Sequence, residues 1–325
     1  MLRICRAALR CCIKEYFPSG LLQGRTPDGA LILADEENRP EYEEGKQQFI
    51  EEACALQELR ENISVVDILD FFEENGTAYF AMELIEGCNL RVFRKNHNPK
   101  QTLKMALQML FLLGSSLAEV HRFGMIHGDI SPENILITQD GEIKLIDFGA
   151  ARSFRQGSDN KERKIYLKPN YAPYEQYTQK PCQGPWTDIY ALAATFYFIV
   201  SGRKMLDALS RAKGASYPPL HELCPAVSRQ LSDVIDKRWA FDYHDRYRRM
   251  LDFLDALEQV VRPEDYDIDL GALMPKSKAS KQAEIHVETS DDSEKMCQVE
   301  EQNMPEPKRL PHSSIRKNAG WHIWS

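Results

Sequence analysis

The sequence predicts an α+β chain of two unequal lobes: a small sheet lobe over 1–86, a larger helical lobe over 87–262, and a disordered tail over 263–325. Three observations carry this. Short apolar runs of strand type fall in the first part, and long runs at helical spacing fall in the second. The apolar periodicity then stops near Val261, where Arg262-Pro263 interrupts it and the composition turns polar.

In chain order, Cys11-Cys12-Ile13-Lys14 reads as a strand, and Gln47 to Leu59 as an amphipathic helix with Phe49, Ala53, Leu56 and Leu59 near helical spacing. Val65 to Phe72 and Thr77 to Glu83 read as strands joined by a turn at Glu74-Asn75-Gly76. Helical patterns follow over Leu103 to Phe123, Ile189 to Ser201, Val227 to Arg238 and Met250 to Val260. In the tail, a basic stretch (Lys276, Lys278, Lys281) meets an acidic one, with prolines at 305, 307 and 311 and few large aliphatics. Such a segment cannot offset its ordering entropy. No internal repeat is visible.

The 325 residues are 43% hydrophobic and 28% charged, an ordinary compact composition that excludes a collagen or a wholly disordered chain. Forty-nine acidic against 41 basic residues give a net charge of -8, so no general attraction to nucleic acid or anionic lipid is expected. Eight cysteines form no C-x-x-C pair and no zinc-type spacing, and read as free cytosolic thiols. Ile189 to Val200 falls short of the roughly 20 residues a bilayer span needs, and arginines at 3, 6 and 10 break the first apolar run. The expectation is therefore no membrane span and a cytoplasmic chain.

The chemistry is concentrated in one stretch. His127-Gly128-Asp129-Ile130-Ser131-Pro132-Glu133-Asn134 is followed by Ile135-Leu136-Ile137, a turn at Asp140-Gly141, Ile143 to Ile146, and then Asp147-Phe148-Gly149. A hairpin thus separates two polar turns and brings them together. Phosphoryl transfer needs little covalent participation and much positioning and charge neutralisation. Asp129 is placed to orient and accept the proton of an attacking hydroxyl, and Asn134 and Asp147 supply hard oxygen ligands for Mg²⁺. His127, Phe148 and Gly149 are structural members of the same turns.

With these motifs the chain resembles the protein kinase superfamily over about 14 to 262. Within it the likeness is to bacterial serine/threonine kinases that carry an I-K-E-Y-F-P element and a K-P-G-Y-A-P-x-E-Q-Y activation segment, here Ile13 to Pro18 and Lys168 to Tyr177. The resemblance implies the two-lobed protein-kinase-like fold, ATP and Mg²⁺ as cofactors, and transfer to Ser/Thr hydroxyls of a protein substrate. It makes Lys14 the lysine that holds the α- and β-phosphates and Glu52 its helix partner. Met82 guards the back of the adenine pocket, Glu83, Leu84 and Ile85 form the hinge, and Cys12 and Leu136 sandwich the base. Glu175 pairs with Arg246 to clamp the activation segment, and Asp188 braces the catalytic loop through backbone amides.

The likeness has three departures. Only thirteen residues precede Lys14 and no G-x-G-x-x-G lies among them. This implies that the first strands and the phosphate-covering loop are absent, through a late start, a truncation or a natural pseudokinase. Gly128 stands where phosphorylation-dependent members carry Arg before the catalytic Asp, so turnover is expected without a phosphorylated activation segment. Finally, the family's Lys two residues after the catalytic Asp is Ser131, and its Thr three residues before the activation-segment Tyr171 is Lys168. The charge and the hydroxyl have changed places, which assigns Lys168 and Ser131 to the catalytic set with Asp129. Two other readings remain: a small-molecule phosphotransferase of the aminoglycoside or choline kinase kind, which also carries H-G-D-x-x-x-x-N, and a nucleotide-binding module without activity.

Overall fold

A computed structural model describes residues 10–60, 62–148, 152–153, 167–178, 182–237, 243–274, 287–288 and 321–324, with the backbone alone at 152–153, 287–288 and 321–324. The rest of the expected tail and Gly149 lie outside the described residues. The chain divides into two units, one of Met1–Cys54, Ile68–Leu84 and Lys281–Ser325, the other of Ala55–Asp67 and Ile85–Ser280.

In the first unit the strand Cys11–Glu15 lies antiparallel to Thr77–Glu83, which pairs with Ile68–Glu74. The turn between these last two is a two-residue one with both central residues in the left-handed region (Asn75 φ 55°, Gly76 φ 76°), the conformation that matches strand twist. On its other side Cys11–Lys14 carries the backbone of Trp321–Trp324 as a parallel neighbour. The helix Arg39–Glu58 starts well before the expected Gln47, and buried Tyr42 extends its apolar face. Phe49 stacks on Phe80 of the sheet at 4.8 Å between centroids, and Tyr42 Oη donates to Gly76 O at 2.9 Å. A small hairpin, Leu22–Arg25 with Leu31–Leu33, was not legible as strands, although Pro27-Asp28-Gly29 is a turn signal.

The expected strand from Val65 begins instead at Ile68. Val65 bridges in parallel to Leu145, Val66 N donates to Leu145 O at 3.2 Å and Leu145 N donates to Ser64 O at 2.7 Å. Asn62 Nδ2 donates to Ser116 O and Glu119 Oε2 at 3.1 and 2.9 Å. These bonds place Ala55–Asp67 in the second unit.

That unit is built on the helices Pro99–Arg122 and Pro185–Ser201 with Met250–Glu258 packed beside them. Asn98 begins the first with a capping box to Gln101 and Pro99 at the first turn. A Cβ on its Gly114 would come 2.6 Å from the Leu254 side chain, so the glycine lets the two helices approach without displacing Leu254. Pro99–Arg122 is long and apolar enough to cross a bilayer, but Met105, Leu110, Leu113 and Leu117 are buried within the unit, as expected of a core helix. A three-stranded sheet, Gly87–Asn89, Ile135–Thr138 and Ile143–Leu145, carries the polar turns at its ends. Packing continues beyond residue 262: Leu270 and Met274 are buried and Tyr266 stacks on Phe111 at 4.5 Å.

Candidate active site

Asp188, in the first turn of Pro185–Ser201, is wholly buried. Its Oδ2 accepts from His127 N at 2.9 Å and from His121 Nε2 at 2.8 Å, and its Oδ1 accepts from Gly128 N at 2.9 Å. Burial alone pushes this carboxyl up. The hydrogen bond from His121, the His121 charge and the Gly128 amide together outweigh it and hold Asp188 below the usual carboxylate value. The loop carrying Asp129 is therefore tied by its backbone to the central helix.

His127 is buried behind the loop and packs on Phe148 at 4.4 Å between centroids. Its Nδ1 accepts from Asp129 N at 3.1 Å, which leaves Nε2 as the donor to Ile146 O at 3.1 Å. Burial lowers its pKa against the pull of Asp188 and Asp129, so the ring is neutral. The linkage follows in sign: below the ordinary value of 6.5 the unfolded chain takes up a proton that folded His127 refuses. Stability then falls on acidification through that range, by at most about 1.4 kcal/mol per pH unit. Urea unfolding at about pH 7.5 and about pH 5.5 is expected to show this loss, and His127→Gln, which titrates nothing, to reduce it. An equal loss in both proteins would place the effect elsewhere.

Asp129 is the centre of a compact polar cluster. Its Oδ2 accepts from Lys168 Nζ at 2.8 Å and from Asn134 Nδ2 at 2.8 Å, and its carbonyl accepts from the same Asn134 amide at 2.9 Å. Lys168 Nζ also donates to the Oγ of buried Ser131 at 3.0 Å. Burial raises the Asp129 pKa, with Lys168 opposing it. Because Asn134 spends its amide hydrogens on Asp129, its carbonyl oxygen is the atom left to face a cation. Ile146 N donates to Asn134 O at 2.9 Å, which brings the Asn134 turn next to Asp147. Asp147 has φ 61°, a left-handed conformation that Asp tolerates better than most residues.

Asn134 and Asp147 fit a Mg²⁺ ion as a donor set. The Asn134 side-chain carbonyl and the Asp147 carboxylate are hard oxygen donors, and Mg²⁺ is commonly held by one or two carboxylates, with substrate phosphates and water completing its shell.

A small open recess beside Asp129 is lined by Lys168, Tyr171, Ala172, Gln176 and Ala191. Gln176 Nε2 donates to Gly128 O at 2.7 Å. Behind this segment Glu175 Oε1 accepts from Arg246 Nη1 at 2.8 Å and from Thr187 Oγ1 at 3.2 Å, both charged side chains being nearly inaccessible. Gln176 and His121 were not singled out in the sequence.

In the first unit Lys14 Nζ lies 3.6 Å from Glu52 Oε1, and within 6 Å of the Phe49 and Phe80 rings, at 5.9 and 5.4 Å. Cys12 and Met82, both buried, are directly opposite across the strands, and Glu83 is opposite Cys11. Ile85 and Leu136 belong to the second unit, Leu136 opposite Lys144 and Asn89 in its sheet.

A family model described as the protein kinase domain matches residues 32–257, a span that begins after Lys14. The chain is 28% identical over 205 residues to a probable serine/threonine-protein kinase PknB of Lactococcus lactis, covering 61% of this chain and 32% of that protein. It is 30% identical over 195 residues to the serine/threonine-protein kinase PrkC of Bacillus subtilis, covering 57% and 29%. The chain thus spans about a third of the length of these curated relatives. Among solved structures it is similar to the apo form of PpkA-294, with a TM-score of 0.63 and 34% identity, over 76% of this chain and 86% of that one.

Proposed function

Since this chain belongs to the protein kinase domain family, we propose that it transfers the γ-phosphoryl group of ATP to Ser/Thr hydroxyls of a protein substrate. The observation that carries the reading is the Asp129 carboxylate held between Lys168 and Asn134 at the edge of an open recess. The names of the matched bacterial kinases support the Ser/Thr class.

A substrate hydroxyl entering the recess meets Asp129, whose carboxylate orients it and accepts its proton as the phosphoryl group is attacked. Burial, which raises the pKa of Asp129, makes it a better proton acceptor than an exposed carboxylate. The Asn134 amide fixes the carboxylate's rotamer, and neutral His127 fixes its backbone amide. Lys168 brings a cation to the same place; its flexible stem lets Nζ move from Asp129 toward the oxygens of the transferring group. Ser131, with a small buried hydroxyl, gives that ammonium a second acceptor and leaves it room. Asn134 and Asp147 would hold Mg²⁺, which when bound neutralises charge on the phosphates. Within the first unit Lys14, paired with Glu52, is the residue that the family resemblance assigns to the phosphates of ATP.

Purified protein given labelled ATP and Mg²⁺ is expected to label a generic protein substrate on serine and threonine. Label on a panel of amino alcohols instead would favour the small-molecule phosphotransferase, and label on neither would favour a nucleotide-binding module. In a thermal-shift titration Mg²⁺-ATP is expected to raise the Tm of the parent, since a ligand bound by the folded state alone stabilises it. Asp147→Ala is expected to lose most of that shift; an unchanged shift would remove Asp147 from the nucleotide site.

A further inference from the structure

The peptide group that joins Gly128 to Asp129 is held at both of its polar atoms by side chains from different elements. Its N–H, on Asp129, donates to His127 Nδ1 at 3.1 Å, and its carbonyl, on Gly128, accepts from Gln176 Nε2 at 2.7 Å. Gly128 has φ 78°, a conformation that other residues adopt only with strain. Its own N–H is bound to buried Asp188 at 2.9 Å, so little freedom remains in this step of the chain. The orientation of a peptide plane sets the direction in which the next Cα–Cβ bond leaves, and here that bond carries the Asp129 carboxylate.

We propose that Gln176 is a positioning residue: through the Gly128 carbonyl it fixes the direction of Asp129 and thereby couples the 3₁₀ turn Tyr174–Tyr177 to the reacting carboxylate. The inference rests on the phosphotransferase reading above. The tie is neutral and needs no added charge, so the two segments are linked without any modification of either. The turn that presents Gln176 is anchored in its turn by Glu175, through the buried pair with Arg246. Displacing that turn would release the Gly128 carbonyl and let the Asp129 carboxylate swing.

Two variants test this. Gln176→Leu keeps much of the volume and removes the donor, and kcat is expected to fall on the order of tenfold, with KM for ATP little changed. Gln176→Glu can donate to the carbonyl only when protonated, so its kcat relative to the parent is expected to rise as pH is lowered. The groups facing this position are Asp129 and Lys168 in the recess, His127 and Asp188 behind Gly128, and Glu175 with Arg246 on the Gln176 side. The parent carries all of these, so their own titration cancels in the ratio, and Gln176→Leu, which adds no charge, serves as the pH-independent reference for the shift that the charged side chain of Gln176→Glu imposes on them. A merely structural role would lower both variants without that pH-dependent recovery. Hydrogen exchange gives a readout independent of turnover: in Gln176→Leu the amides of 127–134 are expected to exchange faster, with those of Pro185–Ser201 unchanged. A parent without phosphoryl transfer would overturn the functional reading, and the exchange result would still decide the tie. Parent-like kcat in Gln176→Leu, a flat ratio in Gln176→Glu, or unchanged loop exchange would overturn the inference.

Discussion

Replacing Lys168 with Met is expected to lower kcat on the order of 10²-fold, the scale of losing one transition-state charge contact. Methionine keeps the length and apolar character of the stem, so packing changes little and the ammonium is what is removed. The effect belongs in kcat rather than in KM for ATP, because Lys168 lies on Asp129 and Ser131 at 2.8 and 3.0 Å, where the proposed reaction places the transferring group. Ser131→Lys combined with Lys168→Thr restores the other order of the same two groups and is expected to recover much of the loss. Turnover of Lys168→Met equal to the parent would show that the ammonium only neutralises Asp129 at rest.

Arg246→Leu is expected to give the largest loss of stability, about 3 to 5 kcal/mol, because it leaves Glu175 charged and buried without its cation. At about 2–4 °C per kcal/mol for a unit of this size, Tm should drop by roughly 10 °C. The pair's side chains are 1% and 3% exposed, so water cannot take the place of the guanidinium. Replacing both residues with apolar ones is expected to cost much less than either single change, since what destabilises is the orphaned charge rather than the absence of a bond. A double-mutant cycle by thermal unfolding separates the two cases. Independent, additive losses would mean that the two charges are not energetically coupled.

Much of the site was legible because its chemistry is local. The polar turns ending in Asn134 and Asp147 are joined by a short hairpin with an Asp140-Gly141 turn, so pairing Ile135 to Ile137 with Ile143 to Leu145 follows from spacing alone. The exchange between Ser131 and Lys168 was legible only through the family pattern, and Lys168 Nζ does lie within hydrogen-bond distance of both Asp129 and Ser131. Gln176 stood in the family's activation-segment motif with no role attached to it: a side chain that bonds a distant backbone carbonyl has no period and no partner residue type. Val65 and Val66 failed for a different reason. A β-branched run announces an extended backbone but not its partner, and here that partner is Leu145. Leu270 and Met274 lie in the short run Ile268 to Met274, too short to show a period, although both are buried.

The pairing of Ser64 to Val66 with Leu145 also governs how the protein can be dissected. The chain passes from the first unit to the second at Cys54, returns at Ile68 and leaves again at Leu84, so no single cut separates the two. A fragment begun at residue 87 would contain the helices and both polar turns, yet Leu145 N would lack the Ser64 carbonyl and Leu145 O would lack the Val66 amide. Each buried polar group left unpaired costs about 1–3 kcal/mol, and the strand affected is the one that leads to Asp147. Expression boundaries for the larger unit therefore belong before Ala55, or the segment Ala55–Asp67 must be supplied as a separate peptide.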